Sequence, residues 1–209
     1  MTNNDENEVP SKKGYVMALL KPTKPDFEKY DQMVGPTVAP FGGKLIVKQS
    51  ISKDAVYMES PAEQFQTVVV VQFPSLIKAQ EWYTSVEYSK AKQLRMDTAV
   101  SLLSILEGDD LSSHHGFLAT FMTVKDADKF AQYKPGPSLA SFGASRVVAK
   151  LDNDAKKTYA EADGYDVSVL LGFPTRKTAL EWMQSDIYAP AKEVRLSSSQ
   201  GPVVIFGMD

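Results

Sequence analysis

The residues with the most chemistry to offer come in pairs. Arg95 and Arg195 stand at matched positions, as do Tyr88 and Tyr188. A guanidinium grips a carboxylate or phosphate through two parallel N–H bonds, which makes each arginine a candidate anion clamp. The two matched tyrosines are candidate hydroxyl donors beside it. Tyr83 and Tyr15 add two further phenols. Lys44 and Arg146 each follow a Phe-Gly turn and begin an apolar stretch, where they could face a pocket mouth. Glu107 has the chemistry of a general base if it is buried. These residues predict a pocket for a compact, partly apolar or anionic molecule, lined by Tyr15, Tyr83, Tyr88 and Arg95. Any proton abstraction or cyclisation there would be cofactor-free and would use Tyr88 and Glu107.

Each of these residues also has a plain structural account. The arginines could hold ion pairs with Glu81 and Glu181, or bond a C-terminal carbonyl. Tyr88, Tyr188, Trp82 and Trp182 lie at helical spacing, where aromatics pack a core. Charges such as Lys44 and Arg146 protect sheet edges. Glu107 beside Gly108-Asp109-Asp110 suits a solvated strand end. The competing reading is a structural or assembly module with no ligand, and whether the chain is an enzyme stays open.

The elements that must position these residues occur twice. Phe73-Pro74-Ser75 through Arg95 reads FPSLIKAQEWYTSVEYSKAKQLR, and Phe173 through Arg195 reads FPTRKTALEWMQSDIYAPAKEVR. The chain is therefore two copies of one unit. Residues 1–13 are polar and aperiodic and are expected to be a disordered leader. Residues 14–110 form the first unit, 111–115 a linker and 116–209 the second.

In the first unit, Gly14–Leu20 is an apolar run of strand length, followed by helical spacing from Pro25 and a stop at Pro40-Phe41-Gly42-Gly43. Leu45–Val47 makes a second strand. Residues 49–65 are a long connection or twisted hairpin. Phe65–Phe73 contains a β-branched run, apolar on both sides over Thr67–Val71, as in a buried central strand. Ser75 caps a helix, Val86–Thr98 is a second helical stretch, and Val100–Leu106 closes the unit. The second unit follows the same course, with a helix over Ala127–Leu139. Gly136-Pro137, Phe142-Gly143, Tyr159 and Glu161 echo Gly35-Pro36, Phe41-Gly42, Tyr57 and Glu59.

The order β-α-β-β-α-β is the ferredoxin-like arrangement, a four-stranded antiparallel sheet with both helices on one face. The other face is apolar too, and the simplest cover for it is the other copy. The fold class is thus α+β: two ferredoxin-like βαββαβ units in tandem, closed into an intramolecular pseudo-dimeric barrel. Cavities should lie between each sheet and its helices or inside the barrel.

Composition narrows the function. With 23 Lys and Arg against 26 Asp and Glu, and no basic stripe, nucleic acid is not an expected partner. No apolar run is long enough for a bilayer, and the start has no signal-peptide pattern, so a cytoplasmic place is expected. The chain has no Cys, which rules out thiolate chemistry. His114 and His115 are adjacent in a Ser-rich linker and point in opposite directions, too few and too divergent for a metal or haem site. No cofactor is expected. The expected partner is a small molecule, with further self-association left open.

The GPxxxxFGGK stretch, the strand ending in FPS, the A-x-E-W-Y-x-S-x-E-Y block with Arg95 and the final Glu-Gly resemble a bacterial family of the dimeric α+β barrel superfamily. It is known as the domain-of-unknown-function family number thirteen-thirty. The resemblance spans nearly all of residues 14–108. The second copy departs at Ala144, Met183 and Gly207, so the first copy keeps more of the family pattern. The family has one unit per chain and dimerises, so the resemblance implies a fused pair here. Superfamily relatives include cofactor-free monooxygenases, polyketide cyclases, haem enzymes and plain binders, so the fold alone selects no reaction.

Overall fold

The computed structural model describes residues 12–150 and 160–209. Most of the expected leader and Tyr159 lie outside the described residues.

The first unit runs β1 (Lys13–Pro22), α1 (Phe27–Val38), β2 (Lys44–Ser50), a short α2 (Ile51–Asp54), β3 (Tyr57–Glu59), β4 (Thr67–Phe73), α3 (Leu76–Thr84), α4 (Val86–Thr98) and β5 (Ala99–Gly108). The second runs β6 (Gly116–Val124), α5 (Ala127–Phe130), α6 (Gly136–Ser141), β7 (Ser145–Lys150), β8 (Ala160–Glu161), β9 (Val167–Phe173), α7 (Arg176–Gln184), α8 (Ala189–Ser198), β10 (Ser199–Gln200) and β11 (Val203–Gly207). Side-chain caps begin the matched helices. Ser75 accepts from the Lys78 amide, Thr175 from the Thr178 amide, and Ser85 from the Tyr88 amide. Gly14 and Gly116 let those caps sit close. A Cβ at Gly14 would lie 2.3 Å from the Ser75 carbonyl oxygen, and one at Gly116 would lie 2.1 Å from that of Thr175.

The strands form one curled sheet in the order β2-β4-β1-β5-β7-β9-β6-β11-β3, with β8 added to β5 and β10 to β6. Each unit contributes four antiparallel strands. The units meet where β5 pairs with β7, at Glu107 with Val148 and Gly108 with Val147. The opposite seam, between β2 and β11, is bridged by a side chain. The Gln49 amide accepts from the Gly207 N–H at 2.8 Å and donates to the Gly207 carbonyl at 3.2 Å.

Strand alternation sorts the apolar residues into three cores. Tyr15, Met17 and Leu19 of β1 point inward, with Val68, Val70, Phe117, Phe121, Leu170, Val204 and Phe206, into a barrel core built from both units. Val16, Ala18 and Leu20 face the first unit's helices. Leu118, Leu171 and Phe173 face the second unit's helices. The two-sided apolar character of the central strands is thereby accounted for. The Ser104 hydroxyl donates to Ser168 at 2.8 Å inside the barrel.

Two local expectations change. The helix expected over Ala127–Leu139 is broken into α5 and α6. Pro135 has no N–H to continue a helix and disfavours helical backbone at the residue before it. The long connections are not hairpins of their own unit. β3 pairs with β11, and β8 pairs with β5. Each unit therefore extends an arm onto the closing strand of the other.

Because one core and both arms are shared, we predict that a chain of residues 12–110 does not persist as a folded monomer. Size-exclusion chromatography and far-UV circular dichroism should find it self-associated or largely unfolded. A stable monodisperse monomer would contradict the shared core.

Candidate functional site

The exchanged arms deliver a carboxylate to each arginine. Glu161, on β8 of the second unit, meets Arg95 of the first. Arg95 Nη1 donates to Glu161 Oε2 at 2.6 Å, and Nη2 donates to Oε1 at 2.5 Å. Glu59, on β3 of the first unit, meets Arg195 of the second through the same fork, at 2.7 Å for both bonds. The partners considered from sequence are engaged elsewhere: Glu81 with Lys78 and Glu181 with Lys177, on the surface. Those expected partners lie within the same repeated block, whereas the real ones are 66 and 136 residues distant.

Around each pair the aromatic residues are matched. Arg95 Nε donates to the Tyr88 hydroxyl at 3.2 Å, and Arg195 Nε to Tyr188 at 3.1 Å. Trp82 stacks on Tyr88 with centroids 4.0 Å apart, and Trp182 on Tyr188 at 3.9 Å. The indole N–H groups are satisfied by Thr37 and Ser138. The paired tyrosines and tryptophans are core residues, and the tyrosine hydroxyls also serve the arginines.

The two clusters differ in their remaining partners. At Arg95, Ser101 accepts from Nη1 at 2.6 Å and donates to Glu161 at 3.0 Å. Tyr83 donates to Glu161 at 2.8 Å, and the Lys92 ammonium lies 3.6 Å above the Tyr83 ring. In the second unit Met183 replaces Tyr83, and the missing phenol comes from the arm, where Tyr57 donates to Glu59 at 2.7 Å. Gly201 stands where the repeat would place a counterpart to Ser101. Arg195 thus makes three of the five hydrogen bonds a guanidinium can donate. Tyr133, in the break between α5 and α6, shares a 3.1 Å hydrogen bond with Tyr188, and Tyr30 of α1 stands against Tyr88 in the same way.

Each unit holds a cavity between its sheet and its helices. The second unit's, about 220 Å³, is walled by aliphatic residues of β6, β7, β9 and β11. Tyr133, Tyr188 and Arg195 also line it. The first unit's, about 300 Å³, is lined by Ala18, Tyr30, Val69, Trp82 and others, with Asp31 and Lys48 among them. Neither Tyr88 nor Arg95 lines it. The unbroken α1 covers that side, and Arg95 is fully buried in its polar cluster.

The other residues singled out from sequence are dispersed. Tyr15 is on the barrel side of β1, on the opposite face from Tyr83, Tyr88 and Arg95. Its hydroxyl donates to the Asp109 carbonyl and accepts from the Leu111 amide. Burial pushes its phenol well up. The single expected pocket holding Tyr15 with those three is therefore not formed. Lys44 is exposed on β2. Arg146 is exposed and lines the second cavity. Glu107 is exposed on β5, so the burial required of a base is absent. No histidine lines either sheet–helix cavity, so neither offers an imidazole as haem ligand. Glu59 and Glu161 were missed as site residues. The signal was present in the repeat, which matches them at equivalent points of two otherwise irregular connections.

Burial alone would raise the Glu161 carboxyl, but the hydrogen bonds and charge of Arg95, with Tyr83 and Ser101, outweigh it and hold it below the usual carboxylate range. Glu59 behaves likewise beside Arg195. Removing one member of a buried pair strands the other, at about 3–5 kcal/mol. We predict that Glu161→Ala costs about that much in urea unfolding, whereas Glu81→Ala stays within about 0.5 kcal/mol.

A carboxyl that ionises more readily in the folded state stabilises it above the unfolded value of about 4.3 and ceases to do so as pH falls through the folded value. The stability gap between the parent chain and Glu161→Gln should therefore narrow below about pH 4. An unchanged gap would show that the pair contributes nothing through ionisation.

The family model described as "Domain of unknown function (DUF1330)" matches residues 13–109 and again 115–208. No curated protein matches the chain. Among solved structures, a proposed monooxygenase of Lactobacillus acidophilus NCFM is 11% identical over 94% of this chain and 93% of its own, with a TM-score of 0.51. An anthrone oxidase-like protein is 12% identical over 94% and 91%, with a TM-score of 0.56. A chlorite dismutase variant from Candidatus Nitrospira defluvii is 9% identical over 94% and 91%, with a TM-score of 0.50. Such identities carry the fold and no more. Among the described residues no helix is long and apolar enough to cross a membrane. The chain belongs to the DUF1330 family, carrying its unit twice and closing the two copies on each other as an intramolecular dimeric α+β barrel.

Proposed function

We propose that this protein binds a compact, largely apolar small molecule in the cavity of its second unit. The observation that carries the reading is the cavity itself, apolar along its walls, with Tyr133, Tyr188 and Arg195 among its lining residues. Apolar pockets with a few convergent polar groups are the usual form of a small-molecule site. A volume of about 220 Å³ exceeds the roughly 150 Å³ that accommodates benzene in an engineered core. The activities named for the fold neighbours, monooxygenase and oxidase-like, make a small-molecule role a natural one for the fold without choosing the molecule.

The reading is binding rather than proton abstraction. Among the described residues no carboxylate or imidazole lines this cavity, and Glu107 is exposed on another strand. The ligand-free structural reading has its own support at the first unit, where Arg95 is spent on Glu161, Ser101 and Tyr88. We assign that cluster to holding the units together.

The matched valines Val69 and Val169 line the first and second cavities. Isothermal titration with 1-naphthol as probe should show one site per chain. Val169→Phe should abolish binding, and Val69→Phe should leave it within about twofold. Loss in Val69→Phe alone would move the site to the first unit. No binding by the parent chain of 1-naphthol or of other ring-sized compounds would leave only the structural reading.

A further inference from the structure

The second cavity contains a polar atom with nothing to bond. Thr120, on β6, is only 4% exposed, its hydroxyl has no hydrogen-bond partner among the described residues, and it lines the cavity. Its strand neighbours Ala119 and Phe121 face the barrel core, which puts Thr120 on the helix side. A buried hydroxyl left unpaired is costly, and such groups are uncommon in folded proteins. The equivalent position in the first unit is Ala18, which lines the first cavity with a methyl group. At this position the repeat carries a hydroxyl in the second cavity and a methyl group in the first.

The other polar groups define what that hydroxyl works with. Tyr133 and Tyr188 share one hydrogen bond in which either can donate. Two phenolic protons and one mutual bond leave one O–H over, whichever way the bond runs. Among the described residues Arg195 uses three of its five N–H groups. The cavity is therefore rich in donors. It is not, however, a site for an anion. The Arg195 charge is already matched by Glu59 at 2.7 Å, so a second carboxylate would be buried without a counter-charge. Arg146 is exposed and remains solvated.

We propose that Thr120 is the specificity-determining residue of the second cavity, selecting an uncharged ring compound that carries a hydroxyl or carbonyl oxygen. The inference rests on the binding reading above and deepens it. The ligand oxygen completes the Thr120 hydroxyl, while the ring fills the aliphatic space between Leu118, Leu139, Val169 and Leu171. The two cavities of the duplicated chain are then unequal, because the first lacks this hydroxyl.

The test compares three probes of nearly one shape: 1-naphthol, naphthalene and 1-naphthoate, titrated into the full chain and into Thr120→Val. Valine keeps the shape of threonine and removes only the hydroxyl. The parent chain should bind 1-naphthol roughly five- to tenfold more tightly than naphthalene, the worth of one added hydrogen bond, and naphthoate most weakly. Thr120→Val should erase that preference while binding naphthalene as before. Its melting temperature without ligand should be unchanged or higher, since an unpaired hydroxyl has been removed. Equal binding of naphthol and naphthalene by the parent chain would overturn the selectivity while leaving the cavity as a binding site. Tightest binding of naphthoate would overturn the neutral-ligand assignment. A preference that survives in Thr120→Val would assign selection to the tyrosine pair. A clear drop in the melting temperature of ligand-free Thr120→Val would show that the hydroxyl is already bonded. Failure of all three probes would sink the binding reading together with this one.

Discussion

The structure depends on two buried arginines, each neutralised by a carboxylate from the opposite unit. A guanidinium cannot shed its charge, so once Arg95 and Arg195 are enclosed each must be met by a counter-charge held in good geometry. The forked contacts with Glu161 and Glu59 supply that, but only when the two arms lie across the partner unit's closing strand. An apolar seam could be equally stable. What the crossed ion pairs add is register: a slipped or wrongly paired arrangement would leave two charges buried alone. The pairs are the lock, and the shared barrel core is what makes closure favourable.

Everything nearby follows from that lock. The tyrosines that hold the arginine Nε groups are themselves held by tryptophan stacking, and the tryptophans by hydroxyls on the first helix region of each unit. The sequence therefore repeats a block of aromatic and charged residues for reasons of assembly. The same block, viewed from the cavity side of the second unit, presents hydroxyl and guanidinium groups to an apolar space.

Duplication within one chain freed the two copies to differ. In the first unit Tyr83 and Ser101 crowd the ion pair, and a continuous α1 covers the approach. In the second unit methionine and glycine stand at the positions of Tyr83 and Ser101, the first helix is broken, and Tyr57 arrives from the arm to satisfy the carboxylate. The copy that departs more from the family's pattern is the one whose cavity reaches its arginine. Met183 stands in place of a counterpart to Tyr83, and the compensating phenol, Tyr57, belongs to the other unit.

The amino-acid sequence alone determined the repeat, the β-α-β-β-α-β order of each unit and the need for one copy to cover the other. Those are properties of spacing and of two-sided apolar strands, which local sterics and the hydrophobic effect impose wherever the chain sits. It also presented Arg95, Arg195, Tyr88 and Tyr188 as matched residues worth weighing. Only the tertiary structure decided which carboxylates meet those arginines, that Tyr15 faces the barrel rather than the helices, and that Glu107 is solvated. It alone decided that Thr120 stands unpaired in a cavity while Ala18 does not. Periodicity reports a face and not the neighbour across it. A contact between residues 66 or 136 positions apart exists only once the arms have crossed and the sheet has curled shut.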